Sequence, residues 1–297
     1  MIAWIIMFFS SAAAFPAGFL GNCPTFLKAA SKTLPFKNPV RFSFITDTHD
    51  GVAKTETFVE QILRTAPDFV IHGGDMVQHG RNPQELEQFQ SAMRPIVDQN
   101  PLFIAMGNHD VDRGRGTMHL MRIFGGHPRD AFYDVVTGPV HLIFLSSELT
   151  RRTDQDRQIE WLKSTLQKAC HWRIVILHRP PFSSANVITN HDRWLIDRLV
   201  PVFEAYKVDL VLSGHSHYAE HSRKNGVNYW VGGPAGGFLQ GAFNVNPYSL
   251  WRVAHPLSTV THFVASESEI SSTTTDLDGK ETYRFLLKKE SQVRVSY

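Results

Sequence analysis

Gly107-Asn108-His109-Asp110 follows the apolar run Pro101-Leu102-Phe103-Ile104-Ala105-Met106. A short apolar run ended by a glycine reads as a buried strand that stops where the polar cluster begins. One Asn-His-Asp loop carries little information. Four other polar clusters also sit just past apolar runs: Asp47-Thr48-His49, Gly73-Gly74-Asp75, His178-Arg179-Pro180-Pro181 and Gly214-His215-Ser216-His217. Together they place Asp, Asn and His at strand ends. These are the donor types of a metal site gathered from across a fold.

Outward from this stretch, strand-like and helix-like segments alternate from Val40 onward. Residues 41–46 read as a strand, and 55–66 set Phe58, Val59, Ile62 and Leu63 at helical spacing. Residues 69–71 and 102–106 read as further strands. Asn82-Pro83 is a helix start, a capping residue followed by proline, and Pro95 is expected to end or kink that helix after Met93. Residues 114–126 read as a short helix anchored by Met118, Met121 and Ile123. Residues 132–136 and 141–146 form a hairpin pattern that turns at Gly138-Pro139. Residues 154–169 and 192–206 read as helices, and 173–177 and 209–212 as strands running into His178 and Gly214. Residues 227–231 and 260–265 are later strands. The Ser/Thr-rich 266–278 reads as a loop or linker, with edge strands at 283–287 and 293–297. The expected fold class is α/β, layered sheets flanked by helices. Ligands belong at the carboxyl ends of its strands, where the loops face a common crevice.

With 297 residues the chain can bury a large core, and 42% hydrophobic with 20% charged residues excludes wholesale disorder. A net charge of +2 gives no broad basic field, so no nucleic-acid partner is expected. The two cysteines, Cys23 and Cys170, are too few for a disulfide framework or a cysteine-based zinc site. Residues 1–20 carry no charge. Their apolar core, 3–9, falls short of the roughly 20 residues of a membrane span, and Ser10, Ser11 and Pro16 interrupt it. With small residues at Ala12–Ala14 the segment 1–23 reads as a signal peptide, although it has no Lys or Arg at its start. Leu20-Gly21-Asn22-Cys23 is a loose lipoprotein-like box, with Asn22 where a small residue is usual. Export or the cell envelope is the expected location, with the cytoplasm as the alternative. Any membrane contact would run through a lipid on Cys23.

The residue types define the chemistry. One residue separates Asp47 from His49, and on a strand that spacing puts both side chains on one face. Asp75 offers two carboxylate oxygens, Asn108 a neutral carbonyl, and His178, His215 and His217 imidazole nitrogens. A mixed nitrogen and oxygen set suits zinc, iron or manganese better than calcium. Any one of these residues alone reads better as a hydrogen-bonded loop or core residue.

The set and its order resemble the calcineurin-like metallophosphoesterase superfamily: Asp-x-His, Gly-Asp, Gly-Asn-His-Asp, a lone His, then Gly-His-x-His, all between Asp47 and His217. The resemblance covers residues 40–265, leaving 266–297 as a C-terminal linker and edge strands. It implies a layered β-sandwich flanked by helices. It also implies a first ion held by Asp47, His49, Asp75 and His217, and a second held by Asp75, Asn108, His178 and His215. The two ions, Fe, Mn or Zn in divalent or trivalent states, would lie about 3.5–4 Å apart. A hydroxide bridging them would attack a small phosphomonoester or phosphodiester, with cyclic nucleotides as the alternative substrate. His109 would face the substrate and protonate the leaving group, Asp110 would orient His109, and Gly107 would let the backbone turn sharply. Purple acid phosphatases carry a Tyr three residues after the Gly-Asp aspartate. Gln78 stands there, so a tyrosinate–iron centre is not expected. Residues 158–162 and 172–178 resemble the purple-acid-phosphatase-like and cyclic-nucleotide-phosphodiesterase-like branches. A non-catalytic scaffold of this superfamily would have lost ligands or the motif His, and neither is lost here.

Several neighbours are weaker candidates. His72, His79, His127, Arg113, Arg115 and Arg179 could meet a substrate, and Glu220 and His221 could support the ligands. Residues 232–237 read as a tight turn near the site, lacking the Lys-Ser/Thr ending of a phosphate loop. Phe238, Phe243, Tyr248 and Trp251 read mostly as core, with a pocket lining as the alternative.

Overall fold

The computed structural model describes residues 37–111, 132–185 and 190–289. The expected N-terminal signal, Cys23, the helix at 114–126, the candidates Arg113, Arg115 and His127, and the strand at 293–297 lie outside the described residues.

In chain order the strands are β1 (Val40–Ile45), β2 (Phe69–His72), β3 (Leu102–Ile104), β4 (Tyr133–Thr137), β5 (Val140–Phe144), β6 (Trp172–Ile176) and β7 (Leu210–Ser213). They continue with β8 (Glu220–Lys224), β9 (Val227–Val231), β10 (Ser249–Arg252), β11 (Val260–Ala265), β12 (Glu269–Thr275) and β13 (Glu281–Lys288). One sheet runs β13-β12-β11-β1-β2-β3 and the other β10-β8-β9-β7-β6-β5-β4. Strands β1, β2 and β3 are parallel, as are β5, β6, β7 and β9. Their carboxyl ends therefore open on the same edge.

The two sheets face each other across an apolar interior. Phe42, Phe44, Phe69, Ile71 and Phe103 on one meet Leu142, Phe144, Ile174, Ile176 and Trp230 on the other. Phe42 stacks on Phe69 at 5.1 Å and on Phe263 at 4.8 Å between ring centroids. The alternate residues face outward and are covered too. Helices α1 (Val52–Arg64) and α2 (Pro83–Gln99) seal Ile45, Val70 and Leu102. After the single turn α3 (Asn108–Val111), helix α4 (Arg152–Thr165) and the helical stretch from α5 (Asn190–Trp194) to α6 (Val200–Ala205) seal Ile143, Val175 and Val211. The central strands β2, β3, β5 and β7 are rich in apolar residues because both of their faces are buried.

Pro95 does not end α2, which continues to Gln99. A helical proline frees the carbonyl four residues back. Here that residue, Ser91, lies on the exposed side of the helix, while Met93, Ile96 and Val97 keep the buried stripe going. Before Pro201 the helix widens by one residue, with the Val200 N–H donating to Leu195 O across Leu195–Leu199. The proline can neither donate there nor tolerate the carbonyl a normal turn would place against it.

The C-terminal part differs from expectation. Most of 266–278 is not a linker but β12, paired with β11 and β13 inside the first sheet. β-branched threonines suit a pleated surface, and Ile270, Ser272 and Thr274 point inward. The buried hydroxyls find partners across the ladder, Thr274 Oγ1 to Thr261 Oγ1 at 3.0 Å and Ser272 Oγ to Phe285 N at 3.2 Å. Strand β8 left no strand signature, because Glu220-His-Ser-Arg-Lys holds no apolar residue. Ile270 is fully buried, so Ile270→Ala is expected to lower unfolding stability by about 2–5 kcal/mol. Urea titration checks this, and an unchanged midpoint would restore the linker reading.

Candidate metal centre

Each loop that carries a donor leaves the carboxyl end of a parallel strand: Asp47 and His49 after β1, Asp75 after β2, Asn108 after β3, His178 after β6, and His215 and His217 after β7. The same-face argument for Asp47 and His49 does not hold, because β1 stops at Ile45. What turns the side chains inward is left-handed backbone. Asp47 (φ 53°), His49 (46°), Asp75 (53°), His215 (67°) and His217 (51°) all adopt it. Each such non-glycine residue costs roughly 1–2 kcal/mol. Hydrogen bonds between the loops hold these conformations: Asp47 N to Gly74 O at 3.0 Å, His49 N to Asp75 O at 3.2 Å, and Gly236 N and Gly237 N to Asp47 O at 3.1 and 2.9 Å. The 232–237 turn therefore braces the first of these loops.

Two donor groups result. Ligand atoms of Asp47, His49, Asp75 and His217 all lie within 4.8 Å of one another, as do those of Asp75, His178 and His215. In the first group Nε2 of His49 and Nε2 of His217 face each other at 3.0 Å. Oδ1 of Asp47 is 3.5 Å from His217 Nε2, and Oδ2 of Asp75 is 3.8 Å from His49 Nε2. In the second, His178 Nε2 is 3.1 Å from Asp75 Oδ2 and 3.2 Å from Asn108 Oδ1. Oδ2 of Asp75 thus faces both groups, while its Oδ1 accepts from the His109 N–H at 2.8 Å. The outer nitrogens fix the rings. His178 Nδ1 donates to Gly73 O at 3.0 Å and His217 Nδ1 to Phe238 O at 2.7 Å, which leaves each Nε2 lone pair for the interior. Facing imidazole lone pairs beside buried carboxylates fit a pair of transition-metal ions.

The electrostatics of the protein groups point the same way. Burial raises the Asp75 carboxyl, but the His178 imidazole outweighs it and holds Asp75 well below the usual carboxylate range. Asp47 is held down against burial by His217 in the same fashion. Burial lowers His178, but Asp75 outweighs it and pushes that imidazole up to about 10. Proton and metal therefore compete for one nitrogen, and acid weakens metal binding. Burial, then His178 and Arg179, push His215 down to about 3.

The roles within the opening motif change. Asp110 does not orient His109. Its two oxygens accept from the backbone N–H of Asp75 (2.8 Å), Gly107 (2.8 Å) and Met76 (2.9 Å), stapling the β2 loop to the β3 loop. His109 is oriented instead by the Gln78 carbonyl, which accepts from Nδ1 at 2.8 Å. Gly107 is needed for close approach, since a Cβ there would meet Asp75 Oδ1 at 2.2 Å. These partners are mainly backbone carbonyls and N–H groups, which leave no mark on residue type.

The weaker candidates sort out. His72 is buried and bonded to Thr48 Oγ1 and Gly74 N, so it braces the loops. His79 pairs with Glu85 at the start of α2. His221 packs on Phe285 and bonds Tyr283 and Asn228, away from the site. Arg179 is held by Glu148 and Asp192, and its Nη1 lies 2.9 Å from His215 Nε2. A guanidinium only donates, so an ion at His215 requires Arg179 to draw back. Tyr248 and Trp251 pack against other rings, whereas Phe238 and Phe243 line the cavity above the donors.

A family model for calcineurin-like phosphoesterases matches residues 40–219, a span that holds every donor. The chain belongs to the calcineurin-like phosphoesterase family. It is 24% identical over 222 residues to purple acid phosphatase 18 of Arabidopsis thaliana, covering 69% of this chain and 49% of that protein. It is 28% identical over 176 residues to acid phosphatase type 7 of Homo sapiens, covering 52% and 40%. The chain spans about half the length of the curated relatives it matches. Among solved structures, purple acid phosphatase PPD1 of yellow lupin (Lupinus luteus) superposes with a TM-score of 0.72 at 17% identity, over 89% of this chain and 56% of that one. GAP50, the anchor in the inner membrane complex of Plasmodium, superposes at 0.69 and 17%, over 86% and 91%. One is a phosphatase by name and the other an anchor, so at these identities the likeness speaks for the fold alone.

If Asp110 staples the metal loops, Asp110→Asn turns an amide toward N–H donors and weakens metal binding by about 10–100-fold. Calorimetric titration with Zn or Mn checks this. A variant that binds metal normally but turns over slowly would restore the His109-orienting role.

Proposed function

We propose that the chain is a dinuclear-metal phosphoesterase that hydrolyses small phosphate esters. The observation that carries this reading is Asp75 Oδ2, faced on one side by His49 and on the other by His178. Asp47, His49, Asp75 and His217 would hold one ion, and Asp75, Asn108, His178 and His215 the other. When bound, such a pair supplies positive charge for a phosphoryl group and makes a nucleophilic water available at neutral pH.

The protein's own groups supply the rest. His109 lines the cavity beside Asn108 and Asp75. With Nδ1 committed to the Gln78 carbonyl, its Nε2 is the nitrogen left for substrate. The carbonyl partner fixes the ring with Nε2 toward the cavity, the position from which it would deliver a proton to the leaving oxygen. The Asp75 carboxylate, tied to the His109 N–H, keeps the acid in register with the metal donors. The complete donor set and the intact His109 support catalysis over a scaffold role. The acid-phosphatase names of the relatives favour a general phosphate ester over a cyclic nucleotide.

Parallel assays with p-nitrophenyl phosphate and bis-p-nitrophenyl phosphate separate monoesterase from diesterase activity, and chelation abolishes whichever is present. His109→Ala is expected to lower kcat about 10²–10⁴-fold on an alkyl phosphate and much less on p-nitrophenyl phosphate, whose leaving group needs no proton. Equal losses on both esters would refute the acid role. With Gln78 at the tyrosine position, iron-loaded protein should show no tyrosinate-to-iron absorption in the visible. Inactivity of the metal-loaded protein on a broad ester panel would refute the enzyme reading.

A further inference from the structure

The cavity above the donors, about 350 Å³, has two unlike halves. Its floor carries Asp75, Asn108, His109 and His217, and its wall carries Phe238 and Phe243. Both rings are largely open to solvent, at 68% and 51%. A single exposed phenylalanine is unremarkable. Two that wall the opening of one site are a different matter.

The backbone beneath these rings is held firmly. The Phe238 carbonyl accepts from His217 Nδ1 at 2.7 Å, and Gln240 N donates to His217 O at 3.3 Å. Phe243 N and Asn244 N both donate to Ser184 O, at 3.0 and 2.9 Å. Ser184 is itself fixed by the fully buried Glu220, through its N–H at 2.6 Å and its hydroxyl at 2.8 Å. Asn246 Nδ2 adds a third bond to the same carboxylate at 3.0 Å. A buried carboxylate and a metal-ligand candidate thus rivet the segment that presents the rings. This gives Glu220 a role: it positions the wall, not the donors.

Among the described residues no Lys or Arg lines the cavity. Ala185, Ser216, His215 and Gln240 complete the lining, so a second phosphate or a carboxylate would find no cationic side chain there, and apolar contact is what the two rings supply. Resting on the phosphoesterase reading above, we propose that Phe238 and Phe243 form a subsite for the alcohol part of the substrate, selecting phosphate esters with an aromatic or otherwise apolar ring. With phosphate on the donor floor, such a ring covers apolar surface that is otherwise hydrated and meets the phenylalanines in stacked or edge contact.

The test compares 2-phenylethyl phosphate with ethyl phosphate. Both have primary-alcohol leaving groups, so the chemical step is closely matched and the ring is the main difference. The metal-loaded protein is expected to favour the phenylethyl ester by about 10–100-fold in kcat/KM. In Phe238→Ala/Phe243→Ala that ratio falls to near one. The Phe238 carbonyl survives this substitution but its ring contact with His217, 4.2 Å between centroids, does not, so the variants are compared at equal measured metal content. Val245→Ala, an exposed apolar position of the same segment outside the cavity lining, keeps the preference. Calorimetry with phenylphosphonate and methylphosphonate gives the same comparison without turnover, and only the phenyl compound should lose affinity in the double variant. Hydrolysis of both esters without preference, or a preference that survives the double variant, overturns the subsite and leaves the phosphoesterase reading standing. Hydrolysis of neither, nor of p-nitrophenyl phosphate, overturns both.

Discussion

The Asp75 carboxylate is buried where two sheets end, with His49 on one side and His178 on the other. A buried carboxylate is costly unless it is paired and hydrogen-bonded. Most of the surrounding structure meets that requirement. Oδ1 is satisfied by the His109 N–H, and the Asp75 N–H is held by Asp110, so the residue is fixed at both ends before any ion is considered. Asp47 is treated in parallel. Its Oδ2 accepts from the Thr46 hydroxyl and the His215 N–H, and its Oδ1 faces His217. The inward oxygens and imidazole nitrogens are left to one another, an arrangement that two cations would relieve.

The fold serves this requirement by aligning strand ends. Parallel pairing of β1, β2 and β3 in one sheet and of β6 and β7 in the other brings five loops to one edge. The strands can be short because both of their faces are buried. Left-handed backbone at five donor positions stores strain at the site, and the interloop hydrogen bonds and the well-packed sheets on either side sustain it. Gly107 and Gly214 belong to the same economy of space: a Cβ on either would strike an aspartate oxygen, Asp75 Oδ1 at 2.2 Å or Asp47 Oδ2 at 2.4 Å.

Much of this was legible in the sequence, for specific reasons. Apolar runs such as 69–71 and 102–106 announced buried strands, and the polar residues just beyond them announced the donors. Other features left weaker marks. The Ser/Thr-rich β12 reads as a loop because its hydroxyl partners lie on other strands. Asp110 reads as the partner of its neighbour His109, yet a single helical turn sends its carboxylate back to the β2 loop while a carbonyl takes His109. Asp47 and His49 were paired by the right spacing for the wrong reason, since strand geometry ends before them. Phe238 and Phe243 resemble core residues by type, and only the backbone bonds of their segment show that they are held outward.

The central claim is that one oxygen, Oδ2 of Asp75, serves both donor groups. Anomalous diffraction from crystals of the metal-loaded protein tests it most directly. The account predicts two peaks, one among Asp47, His49 and His217 and the other among Asn108, His178 and His215, with Asp75 Oδ2 ligating both. A single peak, or two peaks with Asp75 Oδ2 bound to only one of them, would contradict it.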